Sequence, residues 1–255
     1  MVHRILIVTA VAAEADSVAA GLGHDVPETA WEPLALPGGL TLRRHADGVD
    51  LLVGGVGPAA VAAATGTALA CASLADASLA DAAASYDLVV SAGIAGGFAP
   101  HAPIGTVVVS EAIIAADLGA ETPDGYLAVE ELGFGRSAHP VPHSLTGPLA
   151  AALHAGGRPH TVAPVLTVST VTGTVGRTAE LAGRHPTAAA EAMEGFGVAE
   201  AAAAYGVPVV EIRAVSNAVG PRDRAAWRIG EALDSLRQAF SLLGPAFSLF
   251  SLEAK

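Results

Sequence analysis

Apolar residues recur along this chain in two rhythms. Short unbroken runs, Ile5-Leu6-Ile7-Val8, Leu51-Leu52-Val53, Leu88-Val89-Val90 and Val107-Val108-Val109, are too brief for helices and apolar on both faces, as strands covered on both sides must be. His160 to Val168 and Val209 to Val215 extend the set, and Pro208, with no N–H for a ladder, marks where the last one starts. Leu40 to Arg44 pairs with the Leu51 run through a turn at Asp47-Gly48. Longer segments read as helices: Ala12 to Leu22 closed by Gly23, Pro58 to about Asp76, His143 to about Ala155, Arg177 to Gly183, the alanine-rich run after Gly195, and roughly Ala225 to Leu243. Residues 24–39, with Pro27, Pro33 and Pro37, read as loop with one short strand. Ala115 to Pro142, rich in Gly, Pro and acid, reads as a mobile or lid-like region. The sum is one α/β domain over residues 1–255, a mixed sheet of about eight strands between helical layers.

Composition removes several function classes. A chain of 255 residues, 52% hydrophobic, can bury a full core, and its formal charge of −12 leaves no basic stripe for a nucleic-acid backbone. Twelve of the thirteen cations are Arg and the one Lys is Lys255, which together with the many alanines reads as coding bias. Cys71, alone in an alanine-rich helical run, reads as a small core filler. None of the nine histidines forms a helical zinc pair: Pro140 and Pro142 interrupt His139 and His143, and all read as solvated loop residues. A metal-free, cofactor-free protein is therefore expected. With no membrane span and no signal-peptide plan, so is a cytoplasmic one.

Candidate chemistry gathers at glycine turns and a few polar residues. Gly55-Val56-Gly57-Pro58-Ala59-Ala60 fits the G-x-G-x-x-A dinucleotide pattern, but it follows the third or fourth strand and no acid-ending strand comes about twenty residues later, so tight packing is the better reading. That turn, Ala92 to Gly97, and Thr172 to Thr174 all let a ligand approach backbone. Taken alone, Glu14 early in the first helix reads as a solvated carboxylate. Glu194 follows an apolar run, and a carboxylate at a buried strand end is rarely idle. Glu211 and Arg213 alternate with apolar neighbours, so one face of the last strand is not plain core, and that strand ends in Ser216-Asn217. In open α/β sheets ligands bind beyond the carboxyl ends of strands, which places Glu194 and Asn217 at one pocket.

Taken together these marks resemble the nucleoside phosphorylase and nucleosidase superfamily over nearly the whole chain. They are a Glu after the first strand, the glycine turn Gly55 to Ala60, Ser91-Ala92-Gly93-Ile94-Ala95-Gly96-Gly97, the Met193-Glu194 pair, and a last strand ending in Ser-Asn. Val171 to Thr174, Met193 to Gly197 and Ser216 to Asp223 are most similar to the futalosine hydrolase branch, nucleosidases of the futalosine route to menaquinone. The resemblance implies a three-layer αβα sandwich around a mixed, partly barrel-like sheet, acting as a homo-oligomer on a small-molecule nucleoside. It implies that Glu14 activates water against an oxocarbenium-like transition state, and that Glu194 holds the ribose hydroxyls over Met193. It further implies that Ile94, Gly96, Thr172, Gly173, Thr174 and Ser216 contact substrate. Asn217 stands where methylthioadenosine nucleosidases carry Asp.

That amide matches a 6-oxopurine, whose N7–H and O6 need one acceptor and one donor, better than a 6-aminopurine. Hypoxanthine is the expected leaving group, and futalosine the expected substrate. Water is favoured over phosphate because the central turn holds no cation, although Arg177 and Arg213 stay open as phosphate binders. Arg222, Arg224 and Trp227 are candidates for the 5′ arm. The rivals are a purine nucleoside phosphorylase, a methylthioadenosine-type nucleosidase and a non-catalytic nucleoside-binding protein.

Overall fold

The computed structural model describes residues 4–23, 31–78 and 86–247. Part of the residue 24–39 loop and the second copy of the Ala-Ser-Leu-Ala-Asp repeat from residue 79 on lie outside them. Twelve strands occur among the described residues: β1 (Ile5–Thr9), β2 (Trp31–Ala35), β3 (Thr41–His45), β4 (Val49–Val53), β5 (Leu88–Gly97), β6 (Val107–Ala115), β7 (Gly119–Thr122), β8 (Gly125–Ala128), β9 (Ala138–Pro140), β10 (His160–Thr167), β11 (Ala190–Ala192) and β12 (Val209–Ala218). The helices are α1 (Ala12–Leu22), α2 (Pro58–Ser78), α3 (His143–Ala155), α4 (Val175–Arg184), α5 (Gly195–Ala204) and α6 (Ile229–Phe247). None of the described helices is long and apolar enough to cross a membrane.

Ten strands form one mixed sheet in the order β11-β10-β6-β12-β5-β1-β4-β3-β2, with β9 on the side of β6. The unbroken apolar run of β1 is explained by its two coverings. Ile5 and Ile7 enter the core shared with α1, α3 and α6, while Leu6 and Val8 enter the one shared with α2 and α5. At about 1.5–3 kcal/mol per fully buried aliphatic side chain, these four residues anchor the middle layer.

A further pairing of β11 with β5 closes β5, β12, β6, β10 and β11 into a ring. Each of the five contributes small inward residues, Ala95, Val215, Val108, Ala163 with Val165, and Ala190 with Ala192, all buried together. A ring of so few strands has room for little more than alanine and valine. The partly barrel-like αβα sandwich expected from the family is present.

Several local expectations change. Ala92 to Gly97 is not a turn but the second half of β5, since β12 and β11 supply ladder partners on either side that outweigh glycine's poor strand propensity. Residues 115–142 carry the β7–β8 hairpin and the β9 pairing instead of an open loop. Strand β9, three residues long, is too short to show a period, while β11 is the strand expected to end at Glu194; the sheet has ten strands rather than about eight. Helix α6 begins at Ile229 because Asp223 accepts the Ala225 N–H and closes a separate turn at Arg224–Ala226. His45 and His139 are buried rather than solvated, and His139 Nε2 lies 2.6 Å from Glu200 while its ring packs on Phe196.

Candidate active site

Glu14 is the third residue of α1 and is buried, not solvated. Val11, at the cap position, has no oxygen to offer the helix start, so the Glu14 carboxylate turns back to it. Oε2 accepts the N–H groups of Ala10 and Val11 at 3.0 and 3.3 Å, and Oε1 accepts that of Ile94 at 2.9 Å. A carboxylate has about four lone-pair sites, so one remains, on Oε1.

Glu194 caps the start of α5 and is also buried. Its Oε1 accepts the Gly57 N–H at 3.2 Å and its Oε2 the Met193 N–H at 3.3 Å, while Arg213 Nη2 lies 3.2 Å from Oε2. Its route is not the one expected. Asn217 ends β12, which is parallel to β5, but Glu194 leaves β11, which is antiparallel to it. Glu191 stands opposite Gly96, and the following residues travel back along β5 toward Gly93. Antiparallel entry therefore delivers Glu194 to Arg213, and the rule for parallel strand ends holds for Asn217 alone of the two.

Arg213 is 1% exposed yet charged. Nε donates to Glu211 Oε1 at 2.7 Å, Nη2 to Ser91 Oγ at 3.2 Å and Nη1 to the Ile94 carbonyl at 3.4 Å. Burial acts to lower its pKa, and the carboxylates of Glu211, Glu194 and Glu14 override that, holding it above the ordinary arginine value. Burial also pushes the Glu211 carboxyl up, against the pull of Arg213. Gly93, in a stretch that reads as a ligand approach, and Gly195 are space for this cluster. An ideal Cβ on Gly93 would lie 2.5 Å from Glu14 Oε1 and 2.6 Å from Arg213 Nη1, and one on Gly195 would lie 2.0 Å from Glu211 Oε2.

Arg213 pairs with Gly93 and Asn217 with Gly96, so Asn217 sits three residues further along β5, roughly 10 Å of strand rise beyond the level of Arg213. Asn217 Nδ2 donates to the Ala218 carbonyl at 3.0 Å, which can only accept, so the amide nitrogen is fixed on that side. Oδ1 then faces Ser216 Oγ, which donates to it at 2.8 Å. One lone pair and one N–H are left on the amide's free edge.

Opposite Asn217 across Gly96, Glu191 takes the Thr172 N–H at 2.8 Å and the Thr172 hydroxyl. Glu191 had no role assigned from the sequence; buried, with its pKa raised by that burial, it fixes the Thr172 loop beside the sheet. Its signal is the first acid of Glu191-Ala192-Met193-Glu194, three residues ahead of Glu194. Gly173 and Thr174 are exposed, and Thr174 caps α4 by accepting the Arg177 N–H. Met193, Ile94 and Gly96 are half-buried and line the β5 side. Arg222 and Arg224 stand over the Trp227 ring at 5.5 and 5.9 Å, in a segment tied to the site by the Arg228 N–H to Ser216 carbonyl bond.

The sequence model of the Phosphorylase superfamily matches residues 4–244. The chain belongs to this superfamily. Among curated relatives in the phosphorylase superfamily, a futalosine hydrolase of Streptomyces coelicolor is 58% identical over 242 residues, 95% of either chain. One of Acidothermus cellulolyticus is 47% identical over 95% of this chain and 91% of its own. Among solved structures, a futalosine hydrolase mutant of Helicobacter pylori aligns with TM-score 0.75 at 16% identity, over 97% of this chain and 100% of that one. A 5′-methylthioadenosine/S-adenosylhomocysteine nucleosidase of Colwellia psychrerythraea, in complex with adenine, aligns with TM-score 0.73 at 22% identity over 96% of each chain. At such identities the solved structures speak to the fold.

For a superfamily named after phosphorolysis, the two arginines left open as phosphate binders are placed unfavourably for a phosphate. Arg213 is committed to Glu211, Glu194 and Ser91, and Arg177 is paired with Glu180 at 2.8 Å. A dianion brought to Arg213 would also meet the carboxylates of Glu14 and Glu194.

Proposed function

We propose that this protein is a futalosine hydrolase, a single-domain nucleosidase that cleaves the N-ribosidic bond of futalosine with water and releases hypoxanthine. The reading rests on one observation above the others: Glu14 and Glu194 converge on Arg213, along a strand that also carries an amide with one acceptor and one donor free. In this reading the open lone pair of Glu14 Oε1 takes a proton from the attacking water. Glu194 accepts from the ribose hydroxyls as positive charge grows on the sugar, and Met193 lies under the ring. The departing base takes its N7 proton from solvent water, since a neutral amide has none to give; the Asn217 carbonyl oxygen receives that N7–H and its nitrogen donates to O6. The identity to curated futalosine hydrolases supports the same substrate. Arg222, Arg224 and Trp227 are the residues best suited to an aromatic, acidic 5′ arm.

Incubation with futalosine, inosine and methylthioadenosine in phosphate-free buffer tests this. Rapid hypoxanthine release from futalosine is expected; strict phosphate dependence with a ribose 1-phosphate product would transfer the protein to the phosphorylases, and tight binding without base release to nucleoside-binding proteins. Asn217→Asp should erase the preference for 6-oxo over 6-amino bases by about ten- to a hundredfold, since one buried unmatched polar edge costs about 1–3 kcal/mol. Retention of the preference in kcat/KM ratios would remove Asn217 from base selection.

A further inference from the structure

We infer that Glu211 is a positioning residue: it is the principal counterion of Arg213, and by holding the guanidinium it leaves Glu14 and Glu194 more of their negative field toward the sugar. The inference rests on the proposed hydrolase reading. Its starting point is an imbalance, three buried carboxylates around one guanidinium.

The partners of each carboxylate differ. Glu14 is compensated by three backbone N–H groups and Glu194 by two, on Gly57 and Met193. For Glu211 the compensation is Arg213 itself, at 2.7 Å from Nε against 3.2 Å between Nη2 and Glu194. The shorter contact and the lack of any other donor to the Glu211 oxygens among the described residues assign the cation to Glu211.

Glu211 must be ionised for this role, and two features favour that although burial raises its pKa. Oε1 already receives the Arg213 N–H, so a proton would have to sit on Oε2, which has no hydrogen-bond partner among the described residues. A proton there would give a buried hydroxyl with no acceptor. Oε2 instead lies against Gly195, the first residue of α5, where the helix dipole favours an anion. Arg213 on its own strand and Glu194 at the head of α5 are the charges acting on Glu211, and Ser110 from β6 accepts its N–H at 2.8 Å; Glu14 from α1 and Ser91 from β5 act on Arg213.

If Glu211 is the counterion, removing its charge redirects Arg213 to the working acids. Glu211→Gln, which keeps size and the Nε bond, should lower kcat about ten- to a hundredfold with KM changed less than about threefold, and move the acid limb of the kcat/KM profile to lower pH. Glu211→Asp, which keeps the charge, should keep the limb in place and restore most of kcat. An unmoved limb in the glutamine variant would overturn the inference, because a protonated or merely space-filling Glu211 predicts that result. Should the glutamine variant not accumulate as folded protein, the aspartate variant decides alone, and inactivity or a displaced limb there would overturn it. Wild-type turnover of futalosine is measured beside them; its absence would defeat the hydrolase reading, whereas an active wild type with an unmoved variant limb defeats this inference alone.

Discussion

Glu14→Gln should lower kcat for futalosine hydrolysis by about a thousandfold or more, while futalosine binding changes only a few-fold. General-base catalysis by a positioned side chain typically contributes about 10²–10⁴-fold, and an amide cannot accept the water's proton. The same variant should be measurably less stable, for a reason specific to this chain. Both Glu14 oxygens accept backbone N–H groups, Ala10 and Val11 on one and Ile94 on the other. Whichever way the glutamine is turned, its NH₂ meets at least one N–H, at a cost of about 1–3 kcal/mol. Single-turnover kinetics with calorimetric binding and a thermal melt would separate the two effects. Near-wild-type turnover would take Glu14 out of the mechanism.

Arg213→Met should be the most destabilising substitution in the site. It leaves Glu211, fully buried, with no cation, and breaking a buried pair by removing one partner costs about 3–5 kcal/mol. In a domain of this size that lowers Tm by on the order of 10 °C. The loss should depend on pH with a definite sign. Burial already holds the Glu211 carboxyl above its ordinary 4.5 with Arg213 present, and removing Arg213 removes the pull against burial. A carboxyl raised in the folded state binds its proton more tightly there than in the unfolded chain. Its destabilising effect is therefore absent below the ordinary value and grows as pH rises through 4.5 toward the folded value. The variant's deficit relative to wild type should shrink in melts taken toward about pH 5 and be largest at neutral pH and above. A deficit independent of pH would mean that the loss is packing rather than an orphaned charge.

Much of this architecture was already present in local pattern. The run Ile5 to Val8 is apolar on both faces because two cores use its alternate residues, and that is visible without coordinates. The Met193-Glu194 pair and the Ser216-Asn217 strand end marked the chemistry for a similar reason: a polar residue closing an apolar run is costly to bury unless a partner or a ligand meets it. Glu211 and Arg213, two apart on a strand, could be read as sharing a face, and they do.

The sequence by itself determined most of the element types, the family and the candidate residues for the chemistry, because side-chain period and residue type are local properties. Only the tertiary structure decided how those residues meet. Closure of the ring through β11 turned a glycine stretch into strand, brought Glu194 in against the direction of β5, and set Glu191 opposite Gly96 to hold Thr172. It also decided that Gly93 and Gly195 make room for the protein's own carboxylates, and that Arg213 belongs first to Glu211. Those are facts of long-range pairing and burial, and no window of neighbouring residues contains the partner that settles them.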